Sequence, residues 1–177
     1  MASEALIVVD LQRAFDDPAW GPRNNPGCEA NVATLIDDFR RRGEPVVFVR
    51  HDSDEDGSPL APGHPGNDFK PEVSGAPDLL VAKHVNSAFI GEPDLGAWLD
   101  ERGIRRIAIC GIQTNMCCET TARMGGNLGY DVDFVIDATA TFDHGGFDAD
   151  TLARVTAANL DGEFAAVVTT EEMLRRK

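Results

Sequence analysis

Lysine is nearly missing from this 177-residue chain: Lys70, Lys83 and Lys177 are all it has, against thirteen arginines and 30 acidic residues. The formal charge of -14 excludes a nucleic-acid binder, because so acidic a chain cannot neutralise a phosphate backbone. It also argues against anionic membrane surfaces. The acidic residues are spread along the chain, so their expected role is solvation. A lysine-poor, aspartate-rich composition suits high salt, and a GC-rich genome accounts for it equally well. Scarcity makes any lysine in an apolar context worth inspection.

Other absences narrow the class further. No apolar run approaches the roughly 20 residues that span a bilayer. Met1-Ala-Ser-Glu4 carries no basic segment ahead of its apolar stretch, so a secretory leader is not expected. Cys28, Cys110, Cys117 and Cys118 are too few and too unevenly spaced for a disulfide framework, which favours a reduced, cytoplasmic setting. There are no repeats, linkers or low-complexity tracts, and the length fits one domain with a sizeable core. No HxH, HExxH or paired CxxC marks a metal site, and no glycine-rich phosphate cradle follows the first apolar run. No metal and no cofactor are expected.

What is present alternates strands with helices. Apolar runs at Ala5–Asp10, Pro45–Arg50, Asp78–Lys83, Arg105–Cys110, Val132–Asp137 and Phe164–Val168 read as buried strands. Val32, Leu35, Ile36 and Phe39 fall at helical spacing between Cys28 and Arg42, with Gly43 as the closing cap. Further helices are expected over Asp94–Arg102, from the Cys117 region to Leu128, over Asp148–Asp161 and after Thr169. This order predicts a three-layer α/β/α fold on a mostly parallel sheet, with ligands outside the carboxyl ends of the strands. The irregular stretch 51–75 is long enough to be a functional loop or lid. Gly125-Gly126 inside the central helix marks close packing or a subunit contact.

Asp10, Lys83 and the turn before Cys117 each follow directly on a strand's carboxyl end. In Cys110-Gly-Ile-Gln-Thr-Asn-Met-Cys-Cys118, Thr114 and Asn115 are N-cap residue types, and Glu119 adds charge to the first helical turn. A cysteine there would sit at a helix N-terminus, where a thiolate is favoured. A nucleophile needs a proton acceptor. His51, His64, His84 and His144 lie in no nucleophile motif and read as loop or rim residues. Asp10 is the other acceptor, a carboxylate suited to general-base work beside a thiol. Lys83 would stabilise both.

These residues resemble the isochorismatase-like cysteine hydrolases, which include nicotinamidases and N-carbamoylsarcosine amidohydrolases. The likeness rests on Ala5-Leu-Ile-Val-Val-Asp-Leu-Gln-Arg-Ala-Phe15, on Lys83 with Ser87-Ala-Phe89, on Gly111-Ile-Gln-Thr-Asn-Met-Cys117, and on Asp137-Ala-Thr-Ala-Thr141. It implies a Rossmann-like six-stranded sheet of order 3-2-1-4-5-6 and a Cys117–Asp10–Lys83 triad. It also implies an oxyanion hole from the backbone N–H groups of Gln113 and Cys117, with a cis peptide between Ile112 and Gln113. Cys117 is favoured over Cys118, whose family position is usually a small aliphatic. Asn115 replaces a more frequent aspartate. The Asp-x-His metal pattern of nicotinamidases is not reproduced by His51-Asp52-Ser53, which weakens nicotinamide as substrate.

The expected activity is hydrolysis of a small amide or carbamoyl substrate through a thioester, by a homodimer or homotetramer. Phe15, Trp20 and Phe142 are the expected pocket walls, with His84 and Asn86 at the rim. Two rival classes stand beside this one: a non-catalytic scaffold on the same fold, and a redox protein working through Cys117 and Cys118.

Overall fold

The computed structural model describes residues 4–176; Met1 to Ser3 and Lys177 lie outside it. Six strands form one sheet in the order β3-β2-β1-β4-β5-β6, and every pairing between them is parallel. The strands are β1 (Glu4–Val9), β2 (Val46–His51), β3 (Leu79–Lys83), β4 (Arg106–Ile112), β5 (Asp131–Ala140) and β6 (Ala166–Val168). An all-parallel sheet is covered on both faces, which is why β1 is buried along its whole length. Leu6 and Val8 face one core with helices α1 (Cys28–Arg42) and α5 (Thr170–Arg175). Ala5, Ile7 and Val9 face the other, with α2 (Leu95–Glu101), α3 (Glu119–Asn127) and α4 (Ala149–Leu160).

Most element boundaries agree with the sequence reading to within a residue or two, and two differ for physical reasons. β5 runs to Ala140, well past the expected Asp137, because a register shift between Ile109 and Gly111 lets a second stretch re-pair as Gly111 with Thr139 and Ile112 with Ala140. β6 begins only at Ala166, since Phe164 and Ala165 belong to the turn after α4.

Gly125 and Gly126 are sites of close packing within the chain. A Cβ on Gly126 would come within 2.5 Å of the Phe164 carbonyl oxygen, and one on Gly125 would crowd Ile107, Val132 and Phe89. The stretch 51–75 is pinned by a buried amide. Asn67 Nδ2 donates to the carbonyls of His51 and Leu60 and to Asp52 Oδ1, which ties the Leu60 part of this loop to the end of β2.

The order of strands reverses between β1 and β4. That switch point is where the polar residues collect.

Candidate active site

Asp10 follows β1 and takes φ 49°, a left-handed conformation that a non-glycine residue adopts at some cost. Lys83 closes β3, opposite His51 at the end of β2. Gly111 in β4 has φ 124° and lies so close to β1 that an added Cβ would fall 1.9 Å from the Val9 carbonyl oxygen. Past it, the Ile112–Gln113 peptide is cis, and the chain enters a π-helical turn, Thr114–Cys118, before α3.

Thr114 and Asn115 do not cap this turn. The Thr114 hydroxyl donates to the Thr139 hydroxyl, and Asn115 Oδ1 accepts from the Thr141 hydroxyl. Both side chains are spent tying the turn to the extended end of β5. The Gln113 carbonyl instead accepts from the N–H groups of Met116 and Cys118.

Lys83 and Asp10 are both fully buried, with 0 % of their surface exposed. Lys83 Nζ lies 2.6 Å from Asp10 Oδ2, 3.2 Å from His51 Nδ1 and 3.4 Å from Cys117 Sγ. An ammonium has three N–H groups and no acceptor, so these three contacts use it completely. His51 Nδ1 must then accept, which leaves the imidazole proton on Nε2. Burial, followed by the charge of Lys83, lowers the His51 pKa below 6.5 and keeps the ring neutral. Burial alone would also lower Lys83, but Asp10 and Cys117 outweigh it and hold the ammonium above its ordinary 10.5.

The thiol is not the thiolate that a helix N-terminus would favour. Burial pushes Cys117 from 9.0 up to about 12, the Asp10 charge adds to this, and Lys83 pulls the other way. Desolvation thus acts against the helix end and favours the protonated thiol. Asp10 Oδ1 is buried without a hydrogen-bond partner among the described residues.

Asp10, His51 and Cys117 offer ligand atoms within 4.8 Å of one another, a spacing that would suit a metal ion. Lys83 Nζ bonds to all three. The cation they share is therefore the ammonium, and an ion would have to displace it.

Cys117 opens onto a cavity of about 320 Å³. Phe15, Trp20 and Phe142 line it as a continuous wall, their ring centroids 5.0, 5.7 and 6.1 Å apart. The Trp20 loop is held to β5 by the Asn25 amide, which donates to the carbonyls of Asp137 and Thr139, and just past β5 by a bridge between Arg23 and Phe142. Gln113, Asn86, Leu60, Met116, His51, Asp143 and His144 complete the lining. Of the expected rim residues, Asn86 is there; His84 is turned outward, paired with Asp54. His64 accepts from the Gly66 N–H and takes no part. Sequence reasoning missed His51, whose position comes from pairing β2 with β3. It also missed Gln12, whose amide grips the His51 backbone at both N–H and carbonyl. Cys118 faces away, fully buried in the core, and all four cysteines are free thiols.

Fold and site together define a doubly wound α/β protein with a thiol, a carboxylate and an ammonium joined across its switch point. The isochorismatase domain family matches residues 4–172, and the chain belongs to that family. It is similar to the isochorismatase family protein YrdC of Bacillus subtilis (strain 168), with 37% identity over 97% of this chain and 94% of the relative. It is similar also to Nicotinamidase 3 of Arabidopsis thaliana, with 33% identity over 97% of this chain and 87% of that one. A solved isochorismatase-family structure from Chromobacterium violaceum ATCC 12472 superposes with a TM-score of 0.91 at 40% identity, covering 97% of this chain and 92% of its own.

Proposed function

We propose that the protein is a cysteine hydrolase that cleaves the C–N bond of a small amide or carbamoyl substrate, with Cys117 as nucleophile, Asp10 as proton carrier and Lys83 as the charge that holds them. The observation that carries this reading is the unpartnered buried oxygen of Asp10, on a carboxylate whose other oxygen is locked by Lys83 beside the Cys117 thiol. A buried carboxylate oxygen left without a donor is costly unless it has a use, and the adjacent Sγ–H supplies one. The similarity to a nicotinamidase supports amide chemistry.

As Cys117 Sγ attacks the carbonyl carbon, its proton passes to Asp10. The negative charge that develops on the carbonyl oxygen is met by the backbone N–H groups of Gln113 and Cys117. Asp10 then protonates the departing amine as the C–N bond breaks, leaving a thioester. A water attacks that thioester and gives one proton to Asp10. Collapse of the second tetrahedral species releases the acid, and the sulfur recovers its proton. Burial raises the Cys117 pKa, so transfer of its proton to Asp10 accompanies attack. The buried Cys118 has no access to the cavity, which disfavours a paired-thiol redox role.

The test is an amide and carbamoyl panel screened for ammonia release, comparing wild type with Cys117→Ala. The expected result is turnover of at least one member that the variant abolishes. Turnover of none, or turnover that survives in Cys117→Ala, removes the hydrolase assignment.

A further inference from the structure

The cavity beside Cys117 is built to choose substrates by charge. Among the described residues that line it there is no arginine and no lysine; its carboxylates are Asp10 and Asp143, and its imidazoles are His51 and His144. Lys83 at its base is committed to Asp10, His51 and Cys117 through all of its N–H groups, so no cationic donor remains for an incoming anion. His51 is held neutral. Asp143 is exposed near the mouth; one oxygen accepts from the Ala149 N–H at 2.8 Å, which fixes the carboxylate in place. The apolar walls are Phe15, Trp20, Phe142, Leu60 and Met116; the amides of Asn86 and Gln113 and the His144 imidazole, next to Asp143, are the other polar groups of the lining.

We propose that this cavity takes amides with a planar apolar acyl group, uncharged or carrying an ammonium at the end facing Asp143, and turns away amides that bear a carboxylate. This rests on the amide-hydrolase reading for the position of the reacting carbonyl. The selection itself rests on electrostatics. A carboxylate entering between aromatic rings gives up its hydration, meets no arginine or lysine, and faces Asp143. A cation keeps a partner in Asp143 and gains from the ring faces. A planar uncharged acyl group gives up nothing.

Three matched probes test it: benzamide, para-(aminomethyl)benzamide and para-carbamoylbenzoate. Binding to the intact protein is measured by calorimetry and turnover by ammonia release, so that binding is read whether or not hydrolysis occurs. The carboxylate is expected to bind at least about tenfold more weakly than benzamide, and the ammonium equally or more tightly. Raising salt from about 0.02 to about 0.5 M should shrink the ammonium's advantage and leave benzamide unmoved. In Asp143→Asn the ratio of ammonium to benzamide affinity should fall. Binding of the carboxylate as tightly as benzamide overturns the proposal. So does failure of all three to bind at about 10 mM, a concentration that detects even weak ligands. Selective binding without turnover of any amide would instead keep the charge selection and remove the hydrolase reading.

Discussion

Lys83 meets three acceptors with three N–H groups, and both it and Asp10 are closed to water. Removing it leaves a buried carboxylate without a counter-charge, which costs about 3–5 kcal/mol. Lys83→Met is therefore expected to lose that much stability in urea unfolding at neutral pH, together with at least about a hundredfold in kcat/KM. The sign with pH follows from the raised pKa of Lys83. Its contribution is complete below the ordinary 10.5 and is lost only as pH rises through the higher folded value. Wild type and variant should converge in strongly alkaline solution, not near neutrality. Glu29 presents the opposite case. Burial would raise its pKa, but hydrogen bonds from Arg23 and Lys70 lower it from 4.5 to about 2. Such a carboxylate stabilises the fold above 4.5 and stops doing so as pH falls toward about 2. Glu29→Gln should cost about 1–2 kcal/mol at pH 7, allowing for partial solvent screening, and the gap should close on acidification. A gap that stays constant from pH 7 to pH 2 would mean Glu29 acts through packing instead.

Strand ends made part of the site legible before any coordinates. Asp10, Lys83 and the Cys117 turn each close an apolar run, and in a parallel sheet such ends share one edge. Phe15, Trp20 and Phe142 could be named only as apolar residues following strands; their contact depends on the bridge between the Trp20 loop and the end of β5. His51 carried no sequence signal, because its neighbour Lys83 is set by cross-strand register. Leu60 and Asp143 arrive from loops held by hydrogen bonds from Asn67 to the Leu60 carbonyl and from the Asp143 N–H to the Pro22 carbonyl. A helix end is visible in sequence, whereas the burial that acts against a thiolate at Cys117 is a property of the packed site. Gly111 is a place where an element depends on one residue. A side chain there would collide with backbone of β1, which cannot retreat without breaking the β1–β4 ladder. Gly111→Ala should destabilise by about 3 kcal/mol or more and lower soluble yield, whereas Gly129→Ala, where φ is 87° and the space is open, should cost only about 1 kcal/mol. Equal losses at both positions, measured by thermal unfolding, would show that conformation and not contact governs Gly111.

Over the whole molecule, charge is the dominant asymmetry. Thirty acidic residues face 16 basic ones, and the two described lysines are both buried, Lys70 against Asp16 and Glu29 and Lys83 against Asp10. The positive charge left at the surface is arginine, much of it already paired, as in Arg105–Asp100 and Arg175–Glu171. Two effects of salt then oppose each other. Screening weakens these exposed pairs, but each is worth at most about 1 kcal/mol and most are worth less. Screening also relieves the repulsion among the excess carboxylates, which acts on the compact state as a whole. From about 0.02 to about 0.5 M sodium chloride the Debye length falls from about 20 to about 4 Å, shorter than most distances between surface charges. Repulsion summed over a net charge of -14 should outweigh a handful of weak pairs. The midpoint of thermal unfolding is therefore expected to rise by about 5 °C across that range, since 1–2 kcal/mol moves a domain of this size by a few degrees. The same rise in Lys83→Met would assign it to the surface, because the buried Asp10 site lies beyond the reach of screening ions. A midpoint that falls with salt would mean that the arginine pairs, not the carboxylate excess, set the electrostatics of the fold.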